Sequence, residues 1–136
     1  MAGKNIEGLN MGRHYRGDIQ GKFMLGVQPS DDANFFGIEG AVEELVYHFG
    51  ENQLDNINKG LKSCYEHLDQ SKERLDKFFD EHDMYNDEEI SDYFKKEYNE
   101  EINVQETLAW YARLRLGEQI KKSVEEKGHC YFKAEL

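Results

Sequence analysis

The chain holds one proline, Pro29, and two cysteines, Cys64 and Cys130, 66 residues apart. Neither cysteine belongs to a Cys-x-x-Cys pair, so nothing points to a zinc site built from thiolates. Cys64 falls on the apolar face of a helical pattern and Cys130 in an alternating run, both common places for free buried thiols. That usage fits a reducing cytoplasm. The segment Met1-Ala2-Gly3-Lys4-Asn5 lacks the apolar core of a signal peptide. No apolar run approaches membrane-spanning length, so a membrane is not an expected partner.

Catalytic grammar is missing too. The sequence has no Gly-x-Ser-x-Gly elbow, no Gly-x-x-x-x-Gly-Lys loop and no Gly-x-Gly-x-x-Gly after a strand. Its five histidines (His14, His48, His67, His82, His129) show no metal-type pairing. A di-iron bundle needs two Glu-x-x-His units. Only Glu126-x-x-His129 is present, and Gly128 interrupts it. Adjacent glutamates such as Glu43-Glu44, Glu88-Glu89 and Glu125-Glu126 diverge around a helix axis and read as solvated faces. The expectation is no catalytic residue, no metal and no cofactor.

Basic residues are scarce: 17 against 28 acidic, a net charge of −11. The first 40 residues hold four basic and five acidic, the remaining 96 hold 13 and 23, so the charge belongs to the second part. Such a surface repels nucleic-acid phosphates and anionic lipid. It attracts a basic protein, including one that itself holds nucleic acid.

Glycine divides the chain the same way. Eight of twelve glycines lie in the first 40 residues, and the rest is rich in charge with apolar residues at helical spacing. A strand-and-turn head (1–40) is thus joined to a helical acidic body (41–128) and a last strand (129–136). At 136 residues, with eight Phe, eight Tyr and one Trp to fill a core, one domain is expected.

Within the head, Ile19, Gly21, Phe23, Leu25 and Val27 alternate with polar positions, predicting a strand over 18–28. Arg13-His14-Tyr15-Arg16 reads as its partner or extension, with Gly17-Asp18 as turn or bulge. Pro29 ends the strand, and Ser30-Asp31-Asp32 reads as a polar turn. In the body, Val42, Leu45, Val46 and Phe49 predict a helix over 41–49 stopped by Gly50. Leu54, Ile57, Leu61, Cys64, Leu68, Ser71, Leu75, Phe78 and His82 make an a/d seam over about four heptads. That seam predicts a helix of roughly 30 residues, about 45 Å long. It packs either within the chain or against a second copy as a homodimer.

Asn86 with Glu89, and Asn103 with Glu106, predict two capped helix starts. The first runs to about Tyr98. The second runs to Lys127, with Leu108, Ala112, Leu116, Ile120 and Val124 as its stripe and Gly117 marking close packing. Cys130, Phe132 and Ala134 alternate in a final strand, which needs a partner in the head near Phe23. The fold class is α+β: a small antiparallel sheet packed on about four helices, one of them long.

Three clusters are candidates for chemistry. Arg13, His14, Tyr15 and Arg16, with Lys22 across a turn, are the most cationic patch. They either hold a small anionic ligand or nucleotide, with Tyr15 stacking or donating, or pair with the body's carboxylates. Asp18, Asp31 and Asp32 could gather around a cation, but turn formation and capping is the better account, because the pattern of a calcium loop is broken. The run from Asp80 to Glu89 carries six carboxylates in ten residues beside Phe78, Phe79 and Tyr85. Asp80, Glu81, Asp83, Tyr85, Asp87 and Glu88 are its candidate partner-binding residues, because acids interleaved with rings can imitate a nucleic-acid strand. Arg16-Gly17-Asp18 matches an adhesion tripeptide and reads as coincidence. The preferred expectation is a small non-enzymatic interaction protein, an inhibitor or adaptor, docking on a basic partner. Its composition is one shared by accessory proteins of viruses and mobile elements. Ligand binding at the cationic patch, and oligomerisation through the long seam, are the alternatives.

Overall fold

The computed structural model describes residues 13–25, 28–39, 45–82 and 84–135. Strand β1 spans His14–Gly17, β2 Gly21–Lys22, β3 Val46–Gly50 and β4 His129–Ala134. Four helices lie among them in sequence: α1 Leu54–Leu68, α2 Ser71–Glu81, α3 Asp87–Tyr98 and α4 Val104–Lys127. The sheet is antiparallel throughout, in the order β2-β1-β4-β3. One face packs on the helices, so the α+β class holds, with a small sheet on a helical bundle.

Strand β4 lies inside the sheet, paired on both sides, and its six residues alternate throughout. Cys130, Phe132 and Ala134 point into the core while His129 and Tyr131 face out. The Phe132 ring stacks on Tyr47 at 5.2 Å and on Phe49 at 6.4 Å, and meets Tyr15 edge-on at 5.7 Å. One aromatic side chain thereby ties three strands together, burying large apolar area at each contact.

The head pairs through Tyr15–Gly17, not through the region around Phe23. Among the described residues the expected strand over 18–28 is reduced to Gly21–Lys22; residues 26–27 lie outside the described residues. Gly21 sits at φ +109, and a turn closes from Leu25 to Gln28, so the alternation is carried by bends. Ile19 and Phe23 are buried all the same. Gly17 is needed where it stands: at φ +127, an added Cβ would collide with the Tyr131 carbonyl and lie 2.7 Å from Phe132 Cα.

The segment expected to be a helix up to Phe49 is strand β3 where it is described, from Val46; residues 41–44 lie outside the described residues. Tyr47 and Phe49 point inward and His48 outward, a period of two. Pairing with β4 from Val46↔Lys133 to Gly50↔His129 gives the central strand its second ladder. Cross-strand aromatic packing outweighed the weak 3–4 spacing.

The 30-residue helix is instead two. Asp69 (φ 50, ψ −126) and Gln70 (φ −66, ψ −21) form a turn of type II′ character between α1 and α2. Ile57, Leu61, Cys64, Leu68, Leu75 and Phe78 are buried as the seam requires, but within one chain and on two axes. The longest helix is α4, at 24 residues about 36 Å. Its predicted stripe is buried, and so are Tyr111 and Leu114 on other sides, because α1, α2, α3 and the sheet all pack around it. Asn86 and Asn103 cap α3 and α4 by accepting from the amides of Glu89 and Glu106 at 2.8 and 3.1 Å. Gly128 ends α4 in the left-handed conformation.

A short 3-10 helix, Asp32–Phe36, fastens the head to the bundle. Phe36 is fully buried between two helix glycines: a Cβ at Gly60 would come 2.6 Å from its ring, and one at Gly117 2.5 Å. Among the described residues no helix is long and apolar enough to cross a membrane.

Candidate functional site

The cationic residues of the head are divided between sites: His14, Tyr15 and Arg16 line a pocket of about 330 Å³ with Gln20 and Glu135, while Lys22 borders another. Along β1, Tyr15 turns into the core while His14 and Arg16 stay exposed on either side. His14 faces Glu135, with its amide donating to that carboxylate at 3.1 Å. Arg16 stands opposite Lys133 of β4. Arg13 turns back on its own head: its guanidinium donates to Ser30 Oγ at 2.6 Å and to the Gln28 carbonyl, and lies 4.7 Å over the Phe23 ring. Phe23 in turn stacks on Tyr15 at 4.0 Å. These contacts tie Arg13 into its own head.

Asp18 and Asp32 are likewise engaged by different partners. Asp18 joins β1 to the end of α4, accepting from Lys127 Nζ at 2.8 Å and from the Tyr131 amide at 2.6 Å. Those donors hold its carboxyl below the ordinary range. Asp32 is buried, accepting from Arg113 Nε at 2.8 Å and Gln28 Nε2 at 2.7 Å. Arg113 is itself flanked by Phe35 and Trp110, each 4.7 Å from its guanidinium. A buried carboxylate so matched is a structural ion pair with its hydrogen bonds satisfied. Among the described residues, no group of three His, Cys, Asp or Glu side chains is arranged to hold a metal.

Two regions remain as sites. The first is the junction of α2 and α3. Asp80 and Glu81 close α2, and Asp87, Glu88 and Glu89 open α3, all of them exposed; Asp83 lies outside the described residues. Between Lys77 and Lys95 the chain carries seven carboxylates and neither Lys nor Arg. Met84 stands at the middle with 84% of its surface exposed. Beneath the acids the rings form a continuous layer. Tyr85 packs edge-on to Phe79 at 5.1 Å, Phe79 stacks on Tyr111 at 5.5 Å, and Phe78 meets Tyr93 at 5.1 Å. Tyr85 is half-buried, and burial together with Asp87 pushes its hydroxyl pKa up. The acids of α3 suit the positive end of its dipole. Those of α2 do not: Asp80 and Glu81 crowd the negative end, and no basic residue shares that last turn.

The second region is a cleft of about 330 Å³ between the head and the middle of α4. Tyr15 and Lys22 from the cationic cluster border it, whereas Arg13, His14 and Arg16 do not. Gln20, Gln28, Arg115 and Gln119 complete its polar lining, and pattern reasoning did not find them as site residues. Arg115 and Gln119 are one turn apart on α4, which marks a shared face, but nothing in the sequence says that the loop bearing Gln28 lies against it.

No protein-family model matches the chain, and no curated protein or solved structure matches it significantly. The functional reading therefore rests on geometry and chemistry.

Proposed function

We infer that the protein is a non-enzymatic interaction protein, an adaptor or inhibitor, whose α2–α3 junction docks on a basic protein surface. One observation carries the reading. The carboxylates of Asp80, Glu81, Asp87 and Glu88 reach solvent around the exposed Met84, on a firm layer of aromatic rings. Methionine suits such a place because its thioether adapts to irregular surfaces. A field of one sign, unbroken from Lys77 to Lys95, steers a cationic partner and sets its register. A partner whose basic patch holds nucleic acid would lose that ligand on docking, since both compete for the same cations.

The test is affinity capture with the full chain and two charge-reversed variants. A variant with Asp80, Glu81, Asp87 and Glu88 changed to Lys is expected to lose a basic protein that the wild type recovers. A control with Glu125→Lys and Glu126→Lys, on the exposed end of α4, is expected to retain it. Equal recovery by all three, or a captured protein without a basic surface, overturns the reading.

A further inference from the structure

Two broad grooves run along α4, and both are edged with acids: Glu66, Asp69 and Glu125 in one, Asp76 and Asp80 in the other, with Glu118 shared. The smaller cleft under the head is different. None of its described lining residues is acidic, although 28 of the 136 residues of the chain are Asp or Glu. Lys22 and Arg115 give it positive charge, Gln28 and Gln119 give it amides, and Met24 and Leu116 give it an apolar side. Its volume of about 330 Å³ lies at the small end for ligand sites.

Tyr15 supplies the second, independent observation. Its residue surface is only 7% exposed, and its hydroxyl has no hydrogen-bond partner among the described residues. It is the one such buried side-chain atom found there. An unpaired buried hydroxyl is a net cost to folding, and each one in a folded protein calls for an explanation. Tyr15 borders the cleft from β1, opposite the wall that Ala112, Arg115, Leu116 and Gln119 of α4 supply. Burial, and after it the Asp32 carboxylate, push its pKa above the ordinary tyrosine range. The phenol therefore stays protonated at neutral pH and is available as a donor.

We propose that this cleft binds a small organic carboxylate. The Tyr15 hydroxyl donates to one carboxylate oxygen, Arg115 and Lys22 balance the charge, and the hydrocarbon body lies against Leu116 and Met24. Arg115 already donates to the Tyr111 hydroxyl at 3.2 Å and lies 3.8 Å from the Glu118 carboxylate, so its guanidinium is held in place and its charge is shared between Glu118 and a ligand. A phosphate fits less well. Phosphate sites favour backbone amides at a helix N-terminus, and α4 presents its middle here.

The experiment titrates the ¹⁵N-labelled full chain with hexanoate and with benzoate, using inorganic phosphate as comparator. Saturable shifts at the side-chain amides of Gln28 and Gln119 and at Arg115 Nε are expected with at least one carboxylate. Tyr15→Phe should weaken that binding about fivefold, the worth of one hydrogen bond, while keeping the same shifted residues. Arg115→Gln should weaken it further, as loss of a charge-assisted contact does. Without ligand, Tyr15→Phe should melt at or above the wild-type temperature, because it removes an unpaired buried group. A fall in its melting temperature would make the hydroxyl a structural donor and overturn the proposal. So would shifts outside the cleft, no saturable shift with either carboxylate, an equal response to phosphate, or unchanged affinity in both variants.

Discussion

Single residues decide how the head is held on the bundle. Phe36 fills the space that Gly60 and Gly117 leave on two helices, and neither helix needs glycine for its own conformation. Alanine is normally the better helix residue by about 1 kcal/mol. Here the added methyl would press on a fully buried ring, and overpacking of that kind costs about 1–3 kcal/mol. Gly117→Ala and Gly60→Ala are therefore expected to destabilise the protein, read as a lower denaturation midpoint with unchanged slope. The cysteines give a second prediction at this scale. Burial pushes Cys64 up to about 12 and Cys130 up to about 11, so both are protonated and unreactive in the folded state. Alkylation at pH 8 should proceed only as fast as the protein opens. The folded values exceed the unfolded one, so between pH 9 and 11 the unfolded chain holds fewer protons than the folded chain. Stability should then fall as pH rises, and chemical denaturation at pH 8 and 10.5 would measure the loss.

At the scale of elements, what could be read from the sequence was what local chemistry fixes. Asn86 and Asn103 capped their helices because the Asn-x-x-Glu spacing puts an acceptor beside a free amide, whatever packs nearby. Strand β4 was legible from Cys130, Phe132 and Ala134, and Gly117 from its place in a helical stripe. Strand β3 was not, since Val46 and Phe49 satisfy a helical spacing as well as a strand one. Only pairing with β4 decides between them. The break at Asp69 was hidden for another reason. Leu75 lies seven positions after Leu68, so the seam reads on through a turn that contains neither glycine nor proline. Asp69 occupies a backbone region that glycine enters at little cost. Asp69→Gly should accordingly stabilise the α1–α2 corner by about 0.5–1 kcal/mol. If the chain preferred one straight helix, the same change would lower helicity and stability together, so circular dichroism with a melting curve distinguishes the two. The cleft beside Tyr15 was half legible: Tyr15 and Lys22 were singled out, but its α4 wall, Arg115 included, comes from residues 90 or more positions beyond Lys22.

For the whole molecule, charge is the organising quantity, and its placement works against local stability at one point. Acids at the start of α3 agree with the helix dipole, whereas Asp80 and Glu81 at the end of α2 oppose it, each by about 0.3–1 kcal/mol at an exposed site. Folding alone does not favour them there. Reversing only this pair separates the two roles. In Asp80→Lys with Glu81→Lys, cations would meet the negative end of α2 and dilute a crowded field, so the melting temperature should rise by a few degrees. Binding to a basic partner should weaken at least tenfold, and the dependence of affinity on salt should become shallower, because fewer charges face the partner. A variant that is both more stable and weaker in binding would place the function of those acids outside the fold. A variant less stable than the wild type, with affinity lost in proportion, would make them structural, and the docking surface would have to be sought elsewhere on the acidic helices.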